Sequence, residues 1–147
     1  MPTFARLAGA VLLAVLGFYA ATLARAHLPD GQPGEMLAPV SAVMGVIIGW
    51  VFTGRHLDGG KGSALAIGFG SAVLLAFWVA LLFGIEEMID RAMRNSYGGS
   101  PTDAVQDVFN IIVDYGRDLL KLDVILALGV GGVVVGAITA FVGKRFR

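Results

Sequence analysis

Charged residues divide the chain into long apolar segments. Four of the intervals between successive charged residues are long: they contain 18, 19, 24 and 20 residues without Asp, Glu, Lys or Arg. A helix that crosses the hydrocarbon core of a bilayer needs roughly 17–25 predominantly apolar residues, so each interval is long enough. The pattern therefore predicts four membrane spans, at about residues 7–24, 36–54, 62–85 and 124–143.

The 38 residues of 86–123 separate the third and fourth spans and carry a helical pattern of their own. Gly98 and Gly99 end an extension of the third span beyond the membrane surface. Ser100, followed by Pro101, is typical of the start of a new helix. The extension carries two acid-to-base pairs one helical turn apart, Glu87 with Arg91 and Asp90 with Arg94.

The helix that begins near Pro101 is amphipathic. A helix that lies on a lipid surface usually carries Lys and Arg on its polar face, whereas the polar face here is mostly acidic. We therefore expect the helix to cover the outer end of the bundle, with a docking face for a partner as the alternative. Its apolar residues are Val105, Val108, Phe109, Ile112, Leu119 and Leu120, of which Val105, Phe109 and Ile112 are the candidates for partner docking.

Small residues recur at four-residue intervals along the second, third and fourth spans. Because lipid supplies little hydrophobic force between helices, spans associate where small side chains let their backbones approach closely. These rows predict packing faces within one chain, with self-association along one of them as the alternative. The candidate packing residues are Gly45, Gly49, Gly68, Ala72, Ala76, Ala80, Gly84, Gly132 and Gly136.

Composition supports a membrane protein and excludes several other classes. The chain is 56% hydrophobic and 15% charged, whereas soluble domains are about 45–50% apolar and about 25% charged. A net charge of zero gives no case for a nucleic-acid partner. With no cysteine there is neither a disulfide nor a thiolate metal site. We predict an all-α integral membrane four-helix bundle over residues 1–147, a single domain with the lipid bilayer as its partner and no cofactor.

The distribution of charge predicts the orientation. Four spans place both termini on one side, which holds six basic residues and one acid, against five basic residues and ten acids on the other side. Basic residues favour the cytoplasm, so we expect both termini there. The alternative is a cleaved signal peptide, because Ala24-Arg25-Ala26 resembles a small-x-small cleavage site. Cleavage before His27 would remove the first span.

The chemistry of the spans argues against catalysis and coupled transport. Their predicted interiors contain no Asp, Glu, Lys, Arg or His, the residues that ion pathways and proton relays normally use. His27 and His56 lie on opposite sides in this topology, so they cannot share a metal. The alternatives are an oligomeric small-solute or oxyanion transporter or channel, and an enzyme using Glu87 or Asp114 with Tyr97 or Tyr115. A channel would be lined by hydroxyl side chains and backbone carbonyls, with Ser41, Thr53, Ser63 and Ser71 as the candidates.

One ordered set of residues lies between residues 49 and 116: Gly49-Trp50, Gly60 to Ala72, Phe77-Trp78, Glu87-Met88-Ile89, Arg94, Tyr97, Gly98, Ala104-Val105, Phe109 and Tyr115-Gly116. In this set the chain resembles the TrgA family of small bacterial membrane proteins, which is linked to tellurite resistance. The resemblance implies a bacterial inner-membrane location and a part in tellurite tolerance. Without cysteine the chain cannot reduce tellurite through a thiol. Without a basic residue in a span it has no side chain there to hold an oxyanion. We therefore expect a non-enzymatic, indirect role, through membrane packing or a membrane protein partner.

Overall fold

The computed structural model describes residues 4–27, 35–58, 62–93, 100–119 and 121–146. Regular structure in these ranges is entirely helical, which confirms the predicted all-α fold. The elements in chain order are α1 (Phe4–Arg25), α2 (Leu37–Ile48), a π-helical turn (Gly49–Thr53), α3 (Gly54–Asp58), α4 (Ala64–Met93), α5 (Pro101–Leu119) and α6 (Leu122–Arg145).

Four helical segments are long and apolar enough to cross a membrane, in agreement with the predicted number of spans. They are Phe4–Arg25, Leu37–Leu57, Ala64–Glu86 and Leu122–Arg145. The second combines α2, the π-helical turn and most of α3. The chain is therefore a multi-pass membrane protein, with α5 between its third and fourth spans.

Contacts at the two ends of the bundle show which chain segments lie together. At one end the rings of Phe4 and Phe146 are 5.6 Å apart between centroids. At the opposite end Nε2 of His27, which follows α1, lies 3.4 Å from Oδ2 of Asp123 in the first turn of α6. Both termini therefore lie at the same end, as an even number of crossings requires.

The first two spans pack through glycine. A Cβ built on Gly45 would lie 2.5 Å from the carbonyl oxygen of Leu13, and one built on Gly49 would collide with the carbonyl oxygen of Gly9. On α1 a Cβ at Gly17 would lie 2.7 Å from the carbonyl oxygen of Ser41. The backbones of α1 and α2 are thus in direct contact. The small-residue rows in the sequence predicted Gly45 and Gly49 as packing residues, but neither Gly9 nor Gly17.

The N-terminal end of α1 differs from its predicted boundary. Arg6 lies in the first turn of α1 rather than before the first span, and it is only partly exposed. A Cβ on Gly54 would lie 2.8 Å from Cγ of Arg6. The apolar stem of this arginine therefore packs against α3, as long basic side chains do at the ends of spans.

The third and fourth spans meet at a second glycine contact. A Cβ on Gly136 would lie 2.8 Å from Cα of Gly68, and one on Gly132 would lie 2.7 Å from Cβ of Ala72. Ala72 itself is buried. The three glycines and Ala72 thus form the contact that holds α4 to α6.

The π-helical turn interrupts the second span where the sequence pattern predicts regular helix. It occupies Gly49–Thr53, and α3 then continues the same span. A π turn widens the helix locally and is frequent at functional sites. Its last residue, Thr53, is completely buried against α4.

Candidate functional site

The helix α5 packs on the bundle through one face. It begins at Pro101, directly after Ser100, as the sequence predicts. Ile111 is buried, and Cγ1 of Ile112 lies 2.8 Å from the position of a Cβ built on Gly84 of α4. Because Gly84 has no side chain, Ile112 can sit directly over the backbone of α4.

The three residues proposed for partner docking do not share one environment. Ile112 faces the bundle, whereas Val105 and Phe109 are 56% and 68% exposed. Val113 continues the exposed row one turn further along α5. The structure thus leaves Val105 and Phe109 accessible and places Ile112 in an internal contact.

Ile111 is the buried anchor of α5 that sequence reasoning missed. It lies three residues after Val108, so helical spacing places the two on one side of the helix. The sequence pattern contains this spacing, but the apolar face predicted for the helix included the neighbouring Ile112 and not Ile111. The side chains of Glu87, Asp90, Arg91, Tyr115 and Leu119, together with residues 94–99 and Leu120, lie outside the described part of the chain.

A large cavity lies beneath α5. Its volume is about 760 Å³, and residues of α1, α2, α4, α5 and α6 line it. Three of the predicted packing residues on α4, Ala72, Ala76 and Ala80, line this cavity. The small-residue row on α4 therefore has two environments, a close contact with α6 around Gly68 and Ala72 and a cavity wall from Ala72 to Ala80.

The described lining of the cavity is apolar apart from two residues. Among these described residues, Ser41 on α2 and Arg117 on α5 carry the only polar side chains. Pockets of about 300–1,000 Å³ that are mostly apolar with a few placed polar groups are typical ligand sites.

The buried hydroxyl groups do not form a common passage. Oγ of Ser71 donates to the carbonyl oxygen of Ile67 at 2.7 Å, and its oxygen lies 2.7 Å from Oγ1 of Thr53. Since the proton of Ser71 is used on Ile67, Thr53 donates to Ser71. Of the other two channel candidates, Ser41 lines the cavity beneath α5, and Ser63 is exposed before α4.

Thr139 on α6 is a separate buried hydroxyl. It is completely buried, and its Oγ1 has no hydrogen-bond partner within the described ranges. Its Cγ2 lies near Gly9, 3.5 Å from the position of a Cβ there. The oxygen therefore loses its hydration without a compensating bond, which is unfavourable.

The two histidines lie at opposite ends of the bundle. His27 is near Asp123 at one end, whereas Nδ1 of His56 lies 2.7 Å from the carbonyl oxygen of Phe52 near the other. A carbonyl oxygen accepts only, so Nδ1 of His56 carries the proton. Within the described ranges no three His, Asp or Glu side chains are grouped closely enough to hold a metal ion.

Comparison of the chain with known protein families, curated proteins and solved structures finds no match in any of the three.

Proposed function

We propose that this chain is a non-enzymatic protein of a bacterial inner membrane that contributes indirectly to tellurite tolerance, through membrane packing or a membrane protein partner. The resemblance to the TrgA family supports the link to tellurite. The packing of α5 supports the mode of action, because buried Ile111 makes this helix part of the bundle while Val105 and Phe109 remain accessible.

Both termini lie in the cytoplasm in this proposal, and α5 faces outward. The support comes from the charges, since the end that carries the termini has six basic residues and one acid. The proximity of Phe4 and Phe146 supports a shared side for the two termini.

The hydrogen bonds of the buried hydroxyl groups favour indirect action over tellurite transport. Thr53 donates to Ser71, and Ser71 donates to the backbone of α4 at Ile67, so neither hydroxyl is oriented toward a passing solute. Selective capture of an oxyanion needs charged donors or helix N-termini aimed at it. An oligomeric transporter remains the second candidate, with its pathway between copies.

The proposal is tested by deleting the gene in its own host and restoring it on a plasmid. We expect deletion to lower the tellurite concentration that permits growth, and the plasmid copy to restore it, with unchanged cellular uptake of tellurium. Unchanged tolerance after deletion would contradict the proposal. Changed uptake that purified protein reproduces in liposomes would favour the transporter instead.

A further inference from the structure

We propose that the cavity beneath α5 binds a zwitterionic phospholipid, with an acyl chain inside the cavity and the headgroup held at its mouth near Arg117. This inference concerns a ligand site and does not depend on the link to tellurite.

The cavity opens to the side of the bundle. Phe69 and Val73 on α4 and Ile125 on α6 line it, and each is about half exposed. Behind them the wall is formed by buried side chains such as Leu75. Because α4 and α6 are membrane spans, the exposed edge of the cavity faces lipid, and a lipid chain can enter without passing through water.

The wall of the cavity matches a hydrocarbon chain. Small residues on two spans, Ala76, Ala80 and Gly129, provide its width, and a Cβ on Gly129 would meet nothing nearer than 3.9 Å. Apart from Arg117 at the mouth, the one polar side chain among the described lining residues is Ser41 of α2. A site of this kind binds apolar groups and excludes water.

The mouth of the cavity carries both signs of charge. Arg117 is exposed and lines the cavity at its outer end. Asp114 precedes Arg117 by three residues on α5, so these two exposed charges are neighbours on one side of the helix. Arg25 and Asp123 are also exposed and lie next in the sequence to the lining residues Ala24 and Val124, and Asp123 lies 3.4 Å from Nε2 of His27. Arg117 and Asp114 therefore bring both signs of charge to the mouth of the cavity.

Mixed charge at the mouth selects the class of headgroup. A guanidinium binds phosphate through charge-assisted hydrogen bonds, which suits Arg117. The neighbouring carboxylate of Asp114 complements an ammonium group and repels a second negative charge. An ethanolamine phospholipid presents both groups, whereas a glycerol phospholipid presents only the negative phosphate. The charges thus favour phosphatidylethanolamine over phosphatidylglycerol.

The test is lipid binding to the purified full-length chain, measured by native mass spectrometry. Delipidated protein is titrated with phosphatidylethanolamine, phosphatidylglycerol and diacylglycerol that carry identical acyl chains. We expect one phosphatidylethanolamine per chain, bound about tenfold more tightly than diacylglycerol because of the charged hydrogen bonds. Equal binding of the three lipids, or no binding, would overturn the proposal.

Two variants on α4 locate the site. Ala76→Phe places a ring in the cavity, and we expect it to weaken phosphatidylethanolamine binding at least several-fold. Ala66→Phe adds the same ring at an exposed position of the same helix that does not line the cavity, and we expect binding to be retained. Equal binding by both variants would place the lipid elsewhere, and a dimer that excludes lipid would assign the cavity to a second copy of the chain.

A third variant separates headgroup recognition from folding. Arg117 is exposed, so Arg117→Gln leaves the packing of α5 intact. We expect this variant to bind phosphatidylethanolamine no more tightly than diacylglycerol. Retained preference for phosphatidylethanolamine would refute the role of Arg117, even if Ala76→Phe failed to fold.

Discussion

Gly68 on α4 and Gly132 on α6 lie so close together that neither has room for a side chain. A Cβ on Gly132 would lie 2.8 Å from the carbonyl oxygen of Gly68, and a Cβ on Gly68 would collide with the carbonyl oxygen of Gly132. Helices in lipid associate through such close backbone packing rather than through hydrophobic burial. This pair therefore identifies where the third and fourth spans are held together.

Gly68→Ala should separate α4 from α6 and destabilise the bundle. The added methyl group meets backbone atoms, which cannot move aside as a flexible side chain could. We expect the free energy of unfolding to fall by about 1–3 kcal/mol, measured by thermal unfolding in detergent micelles with circular dichroism as the readout.

Gly70→Ala is the matched control for that substitution. It lies two residues away on α4, and its added Cβ would meet nothing nearer than Cε1 of Phe52 at 4.0 Å. Because Ala favours helix over Gly, stability should stay the same or rise by up to ~1 kcal/mol. Equal loss of stability in the two variants would contradict the packing role of Gly68.

The hydrogen bond between Thr53 and Ser71 should couple the π-helical turn to α4. Both side chains are completely buried, and their oxygens are 2.7 Å apart. In a double-mutant cycle of Thr53→Val and Ser71→Ala we expect a coupling energy of about 0.5–1.5 kcal/mol, as for other hydrogen bonds between spans. Additive effects of the two substitutions would show that this bond does not contribute to stability.

Thr139→Val should stabilise the chain, in contrast to Thr53→Val. The hydroxyl of Thr139 is buried without a partner among the described residues, and valine has nearly the same shape. Removing an unsatisfied polar group recovers about 1 kcal/mol. Chemical denaturation of Thr139→Val and Thr53→Val, measured side by side, shows whether each substitution raises or lowers the free energy of unfolding. A loss of stability in Thr139→Val would reveal a partner for the hydroxyl of Thr139.

Ile111→Ala should release α5 from the bundle, whereas Phe109→Ala should not. Ile111 is 2% exposed and Phe109 is 68% exposed on the same helix. Truncating the buried isoleucine should cost about 2 kcal/mol and increase protease cleavage within α5. Similar cleavage of both variants would mean that α5 is held by other contacts.

The number of spans was predictable because charged residues are excluded from lipid. The length of an uncharged segment is therefore enough to indicate a membrane span. The start of α5 was predictable from Ser100 and Pro101, because the residue preferences at a helix N-terminus depend on the local sequence alone. Gly9 and Gly17 were missed because close approach depends on which helix lies opposite. The π-helical turn and the cavity likewise depend on tertiary placement, which a uniformly apolar stretch does not specify. Ile111 was missed because adjacent isoleucines made the inward position ambiguous.

The arrangement of the chain across the membrane is tested most directly by cysteine labelling. Since the natural sequence contains no cysteine, Asn110→Cys on α5 and Phe146→Cys after α6 each introduce a unique thiol. In intact spheroplasts a membrane-impermeant maleimide should label the cysteine at 110 at once, and the one at 146 only after the membrane is permeabilised. Labelling of position 146 from outside, or protection of position 110, would contradict the four-span account with its termini in the cytoplasm.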